Sequence, residues 1–102
     1  MKSIIQTEKE CYICRCVYGV ENRRRLECHH VFGGSANRKK SDKDGLTVWL
    51  CSEHHRGNNG VHDNPNDPIL ADWLKKRAQK IYMEKNGASV EDFIKRYGRS
   101  YL

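Results

Sequence analysis

The segment Leu26-Glu27-Cys28-His29-His30-Val31-Phe32-Gly33-Gly34 opens the part of the chain that decides the fold. Its partner is Leu46-Thr47-Val48-Trp49-Leu50-Cys51-Ser52-Glu53-His54-His55, which carries a second pair of adjacent histidines. The fifth histidine, His62, follows Gly60-Val61. Because every histidine of the protein lies between residues 26 and 62, we expect its chemistry in this span.

Both segments begin with residues that favour β-strands. Residues 26 to 31 predict one strand, which ends at Phe32-Gly33-Gly34, and residues 46 to 50 predict a second strand antiparallel to it. The residues between them, 35 to 45, are polar and lack apolar periodicity, so they predict an exposed loop of about a dozen residues. Ser52 then predicts the N-cap of a short helix.

The C-terminal third predicts two further helices. Asp67-Pro68 is typical of a helix start, and apolar residues keep helical spacing from there to Gly87. Ser89-Val90-Glu91-Asp92 resembles a capping box that opens a second helix, and Gly98 is its expected stop. Two strands followed by helices predict a small α+β fold.

Two cysteine-containing pairs predict a structural zinc site. Cys11-Tyr12-Ile13-Cys14 has the CxxC spacing that lets two thiolates bind one ion through a tight turn, and Cys51-Ser52-Glu53-His54 has the same spacing. Together they form a candidate Cys3His tetrahedral site. Cys16 remains an alternative ligand, and Cys28 is expected to pack as a small apolar side chain. The predicted zinc ligands are Cys11, Cys14, Cys51 and His54.

The size of the chain agrees with a metal-stabilised domain. With 102 residues, 37% of them hydrophobic, and a mean hydropathy of −0.88, we expect a single domain with a modest core that benefits from a metal. We divide it into a zinc knuckle and core at 11–66 and a helical extension at 67–102. We expect neither a signal peptide nor a membrane span in this sequence. We therefore expect a cytoplasmic protein without a membrane partner. In that compartment its cysteines are expected to bind metal and to form no disulfides.

The charge favours a polyanionic partner. The formal net charge is +6 and the pI is about 9.2, which favours nucleic acid, DNA above all, over a domain that is merely basic. Much of the positive charge lies in short clusters, two of which flank the first histidine pair. The predicted nucleic-acid contacts are Arg23, Arg24, Arg25, Arg38, Lys39 and Lys40.

Taken together, these motifs resemble the HNH endonucleases of the ββα-metal (His-Me finger) group, especially small phage and prophage proteins with a zinc knuckle. The resemblance extends through Asn37-Arg38-Lys39-Lys40-Ser41 and residues 93 to 99. It implies a ββα-metal HNH core stapled by a structural zinc and followed by two C-terminal helices. The matching segments are Cys11-Tyr12-Ile13-Cys14, His29-His30-Val31-Phe32-Gly33-Gly34, Leu50-Cys51 with His54-His55, and Gly60-Val61-His62.

The resemblance also implies a function, the metal-dependent hydrolysis of DNA phosphodiester bonds. It implies a phage or prophage protein working in the cytoplasm of a bacterial host cell, with a phage or host DNA-processing protein as a further partner. A divalent ion would stabilise charge on the phosphorane and on the leaving group, while a histidine activates water. The ion itself stays open among Mg²⁺, Mn²⁺, Ni²⁺ and Zn²⁺.

Each histidine then has an expected role. The resemblance assigns His30 as the general base and His29 as a ligand of the catalytic ion. Neighbouring side chains on a helix diverge by about 100°, so His54 completes the zinc site while His55 turns toward the catalytic ion. His62 is expected as a third ligand, with a surface or substrate-contacting histidine as the alternative.

Two points of this assignment stay open in the sequence. Adjacent residues of a regular strand face opposite sides, so His29 and His30 are expected to share a site only if the backbone leaves strand geometry. Many members of the group have an asparagine just before the second strand, where this chain has Asp44-Gly45-Leu46. Asn37 is the expected residue that orients His30, with Asp44 or a backbone carbonyl as alternatives.

Two other functions compete with the nuclease. A non-catalytic zinc-binding module that docks on nucleic acid or on a phage protein needs only the zinc knuckle and the basic surface. It leaves the other histidines without a shared role. The second alternative is one zinc site that uses some of those histidines in place of Cys11 and Cys14.

Overall fold

The computed structural model of the protein describes residues 3–57, 60–61 and 68–102. These ranges contain five helices and a two-stranded antiparallel sheet, which confirms the predicted α+β class. None of the described helices is both long enough and apolar enough to cross a membrane. In chain order the elements are α1 (Tyr12–Tyr18), β1 (Leu26–His30), α2 (Ser35–Asp44), β2 (Thr47–Cys51), α3 (Ser52–His55), α4 (Ile69–Asn86) and α5 (Val90–Tyr97).

The sheet consists of the two predicted strands, each within one residue of its expected bounds. Strands β1 and β2 pair antiparallel, with His30 opposite Thr47. The N-terminal arm contacts β2 through side chains, because Ser3 Oγ donates to the Thr47 carbonyl (2.6 Å) and the Trp49 N–H donates to the Gln6 side-chain oxygen (2.8 Å). The arm thereby protects an edge strand whose backbone groups would otherwise face a foreign strand.

The segment between the strands is helix α2, so the prediction of an exposed loop is wrong. Its only buried residue is Ser41, which explains why the sequence lacks apolar periodicity. The Ser41 hydroxyl accepts a hydrogen bond from the Phe32 N–H (3.1 Å) and donates one to the Phe32 carbonyl (2.9 Å). Gly45 ends the helix in the left-handed conformation (φ 75°), which favours glycine. A polar anchor therefore holds α2 in place.

The CxxC segment is also helical, which corrects the predicted tight turn. Cys11 is the N-cap of α1, and its Sγ accepts a hydrogen bond from the Cys14 N–H at 3.4 Å. Residues three apart lie on the same side of a helix. The first turn of α1 therefore presents both thiols to one point.

The C-terminal helices follow their sequence signals closely. Helix α4 ends at Gly87 as predicted, and Pro68 precedes its first residue, while Asp67 lies outside the described residues. The capping box of α5 is confirmed, since Ser89 Oγ accepts from the Asp92 N–H (3.1 Å) and the Asp92 carboxylate accepts from the Ser89 N–H (2.9 Å). Gly98 ends that helix.

An aromatic cluster and a polar contact dock α5 on the end of β1 and on α2. The Phe32 ring lies 5.3 Å from Phe93 and 4.8 Å from Tyr97, measured between ring centroids. The Asp44 carboxylate at the end of α2 accepts hydrogen bonds from the Tyr97 hydroxyl (2.6 Å) and from the Arg96 guanidinium (2.8 Å). Helix α2 is thus fixed beside the end of β1, where His30 lies.

Candidate functional site

Three elements bring the four predicted zinc ligands together. Cys11 and Cys14 come from the start of α1, Cys51 from the end of β2, and His54 from α3. All four side chains are buried, and their ligand atoms lie within 4.8 Å of one another. Cys16 is exposed and does not belong to the group, which decides against that alternative.

The distances in this group fit a tetrahedral zinc site. The Nδ1 atom of His54 lies 3.6 Å from Cys11 Sγ and 3.4 Å from the sulfur atoms of Cys14 and Cys51. The sulfur atoms of Cys14 and Cys51 are 3.9 Å apart. Zn–S bonds of about 2.3 Å and Zn–N bonds of about 2.0 Å at tetrahedral angles imply about 3.5 Å between S and N and about 3.8 Å between S atoms. The donor set and its spacing therefore suit zinc.

Burial makes these ligands depend on a metal. It raises the pKa of the Cys14 thiol to about 12 and also raises the pKa of Cys51, while it lowers the pKa of His54. The thiols are therefore neutral at physiological pH without an ion, and zinc must displace their protons to bind thiolates. Zinc affinity consequently rises with pH, and acid favours release of the ion.

Two further side chains support the zinc ligands. The Asn22 amide donates a hydrogen bond to Cys14 Sγ at 3.7 Å. The Tyr18 ring stacks on the His54 ring, with centroids 5.5 Å apart and planes 11° apart. Because both contacts come from the end of α1 and the segment after it, this part of the chain shields the site from solvent.

A second group of side chains lies between β1 and α3. The rings of His29 and His55 meet edge to face with centroids 5.2 Å apart, and both side chains are buried. The Glu27 carboxylate is hydrogen-bonded to His55 Nδ1. A carboxylate on one ring nitrogen fixes the tautomer and leaves Nε2 with the lone pair that binds metal. Two imidazoles and a carboxylate therefore meet between β1 and α3.

Glu27 was not among the residues predicted from the sequence. It lies two residues before His29, and residues two apart on a strand project to the same face. That alternation places the carboxylate beside His29 and His55. The same i, i+2 spacing is the sequence signal by which it could have been found.

His30 lies next to this group, although β1 stays regular to its end. His30 is the last residue of β1 and pairs with Thr47, while His29 pairs with Val48. Both histidines nevertheless line one cavity of about 140 Å³ at the end of the strand. Whether the two side chains share a site therefore stays a prediction.

The described contact that orients the His30 ring comes from Asp42. The Asp42 carboxylate lies 3.3 Å from His30 Nε2. The Asn37 amide instead donates to the Tyr97 carbonyl (3.2 Å), and Asp44 binds Arg96. Asn37 and Asp44 therefore anchor α2 to α5 in this structure. On a helix, the side chains of residues five apart point about 140° away from each other. Since Asn37 faces α5, Asp42 faces away from α5 and toward His30.

His62 lies outside the described residues, so its predicted role as a third ligand stays a prediction. The segment just before it is described. The Val61 N–H donates to the His54 carbonyl at 2.9 Å, and Val61 lines the cavity of His29 and His30. The chain therefore returns to the histidine cluster one residue before position 62.

The predicted nucleic-acid contacts have different surroundings. Arg23 forms ion pairs with Glu8 (3.6 Å), Glu10 (3.4 Å) and Glu21 (3.1 Å), whereas Arg24 and Arg25 are exposed. A guanidinium neutralised by several carboxylates attracts phosphate weakly. The three basic residues of α2 also divide: Lys40 donates to the Arg96 carbonyl at 2.7 Å, while Arg38 and Lys39 are exposed and line cavities beside His30.

No family model, curated protein or solved structure matches this chain. A functional assignment therefore rests on the geometry of two side-chain groups, the buried Cys3His group and the histidine cluster beside it. The two groups share α3, because His54 belongs to the first and His55 to the second.

The Cys3His group predicts a selective effect of cysteine replacement. Cys14→Ser is expected to lose most of its bound zinc and to unfold at least about 10 °C lower, because structural zinc contributes on the order of 10 kcal/mol in small zinc domains. Cys16→Ser, which alters an exposed thiol two residues away, should keep one equivalent of zinc and its melting temperature. Native mass spectrometry and thermal unfolding measure both quantities. Equal zinc content and stability in the two variants would contradict the assignment.

Proposed function

We propose that the protein is a metal-dependent endonuclease that hydrolyses phosphodiester bonds in DNA, in the manner of HNH enzymes. The observation that carries the proposal is the meeting of His29 and His55, with Glu27 on His55 and His30 beside them. The order of strand, strand and short helix agrees with a ββα arrangement, although α2 replaces the expected loop. A metal-binding pair next to an acid–base group is what phosphodiester hydrolysis requires.

In this proposal His29 and His55 hold the catalytic divalent ion, and His62 is available as a third ligand. Their two buried imidazoles fit such an ion, and nitrogen donors favour transition metals over Mg²⁺. When bound, the ion supplies a positive charge that stabilises the phosphoryl oxygens and the leaving oxygen. Glu27 keeps His55 in the tautomer that can bind.

His30 acts as the general base. Asp42 at Nε2 favours a proton on that nitrogen and leaves Nδ1 with a lone pair. Nδ1 accepts a proton from water, the water oxygen forms a bond to phosphorus, and the bond from phosphorus to the leaving oxygen breaks. The leaving oxygen takes a proton from solvent, and His30 returns its proton to solvent afterwards. Histidine suits this task because imidazoles exchange protons close to neutral pH.

The structural metal contributes by holding α3. This helix has only four residues, too few for a stable helix on its own. Ligation of His54 would fix its backbone, and the next side chain, His55, would then be fixed toward His29. The zinc site therefore supports catalysis without touching substrate.

A non-catalytic zinc-binding module that docks on nucleic acid or on another protein is the second candidate. The complete Cys3His group and the net charge of +6 favour it, since they suffice for such a role. It gives no purpose to the hydrogen bond between Glu27 and His55 or to the contact between His30 and Asp42. Those two contacts are the reason why we prefer the nuclease.

The nuclease proposal predicts metal-dependent nicking of plasmid DNA that requires His30. Zinc-loaded protein should convert supercoiled plasmid to nicked or linear forms when Mg²⁺, Mn²⁺ or Ni²⁺ is added, and not without an added divalent ion. His30→Ala should lower the rate about 10²- to 10⁴-fold, because that is the usual contribution of a general base. Gel electrophoresis of time courses gives the rates.

The control for this experiment is the zinc content of His30→Ala, which should stay at one equivalent. Wild-type protein that binds DNA but cuts no duplex, single-stranded or branched substrate with any of these ions would favour the docking module. Undiminished cutting by His30→Ala would show that another group serves as the base.

A second prediction concerns Asp42. Asp42→Ala should lower the cleavage rate roughly fivefold, a modest loss because the side chain is 63% exposed and its contact with His30 is partly screened. Lys43→Ala, on the same helix and also exposed, should leave the rate unchanged. Single-turnover rates on one oligonucleotide substrate measure both effects. Equal rates for the two variants would contradict the proposal that Asp42 orients His30.

A further inference from the structure

Three neighbouring cavities share His30 as a lining residue, and we treat them as one groove. The first, of about 140 Å³, also holds His29 and Lys75; the second, of about 180 Å³, holds Arg38 and Arg56. The third, of about 540 Å³, runs along α2 past Arg38 and Lys39. His30 lines all three cavities, Gly33 joins the first to the second, and Arg38 joins the second to the third. We name this feature the His30 groove.

The His30 groove carries cations along its whole length. Lys75 of α4 lies at one end, Arg56 near the middle, and Arg38 and Lys39 of α2 at the other end. Among the described lining residues, Asp42 is the single carboxylate, and it is engaged with His30. The groove therefore attracts an extended anion on both sides of the histidine.

The groove cations differ from Arg23 and Lys40 in their availability. Within the described ranges, none of Lys75, Arg56, Arg38 and Lys39 forms an ion pair with a carboxylate. By contrast, Arg23 is paired with glutamates and Lys40 caps the Arg96 carbonyl. Phosphate binding at the groove therefore breaks no ion pair that these cations form with another described residue.

Lys75 is the least expected member, because it comes from the helical extension and not from the histidine-rich part of the chain. It is half-buried, and its ammonium lies 5.4 Å from the centroid of the Tyr101 ring. A cation over an aromatic face is restrained but keeps its hydrogen-bond donors for a ligand. Its neighbour Leu74 is fully packed and also lines the groove, which fixes the position of this turn of α4.

We propose that the His30 groove is the track of the DNA backbone, with Lys75 binding a phosphate on one side of the scissile bond and Arg38 and Lys39 binding phosphates on the other. This inference rests on the proposed nuclease function and specifies the surface that holds its substrate. The helical extension is then part of the substrate site. Arg23, which three glutamates neutralise, is then peripheral.

Equilibrium binding tests the inference without any cleavage. Fluorescence anisotropy of a labelled 20-base-pair duplex is measured with zinc-loaded protein and no added divalent ion, over a series of salt concentrations. The groove variants are Lys75→Gln, Arg38→Gln and Lys39→Gln. The matched controls are Lys85→Gln, an exposed lysine on the same helix as Lys75, and Lys43→Gln, an exposed lysine on the same helix as Arg38 and Lys39.

Each groove variant should weaken binding about three- to tenfold and lower the slope of log K against log salt by about one. The two controls should change the affinity less than about twofold. All variants should keep one equivalent of zinc, so that any loss reflects the removed charge and not unfolding.

Equal losses in groove and control variants would overturn the inference, because net charge alone would then explain binding. Unchanged affinity in all three groove variants, or no binding by the wild type, would overturn it as well. The inference and the nuclease proposal fail separately. Selective binding losses without cleavage in any metal would retain the groove and reject the nuclease, whereas cleavage with unselective binding losses would do the reverse.

Discussion

Convergence of three thiols and one imidazole on a single point is the constraint on which the rest of this structure depends. Cys11 and Cys14 in the first turn of α1, Cys51 at the end of β2 and His54 in α3 have the spacing of a tetrahedral zinc site. Since burial raises the pKa of the Cys14 and Cys51 thiols, these two groups stay neutral until a metal displaces their protons.

The position of the histidine cluster depends on the Cys3His group, because His55 directly follows His54 in the chain. Once His54 is held, the adjacent His55 is turned by about 100° around the axis of α3, and it reaches His29 and Glu27. A helix of four residues would not maintain such an orientation alone. In this account the structural metal therefore also orients the proposed catalytic histidines, because both sites take a residue from the same short helix.

Features encoded by spacing were predictable from the sequence, and features built by polar tertiary contacts were not. The CxxC and CxxH pairs, the two strands and the capping box at Ser89 all depend on residues a few positions apart. Helix α2 was missed because its contacts run through Ser41 and Asp44 to distant partners, which leave no apolar periodicity. The error on α2 also concealed Asp42 as the neighbour of His30.

Charge density was a similarly incomplete guide to the proposed DNA surface. The arginine run at 23–25 and the basic run at 38–40 look alike in the sequence, yet Arg23 is neutralised by glutamates from the N-terminal arm and the following segment. Lys75 was not among the contacts predicted from the sequence. Only the fold places it in the cavity of His29 and His30.

The central claim is that two separate ions are bound by two different sets of residues on either side of α3. The most direct measurement is anomalous diffraction from crystals grown with Zn²⁺ and Mn²⁺, collected at the absorption edges of both metals. The account predicts a zinc peak bonded to Cys11, Cys14, Cys51 and His54, and a distinct manganese peak bonded to His29 and His55. A single metal peak that draws on His29 or His55 in place of Cys11 and Cys14 would contradict it.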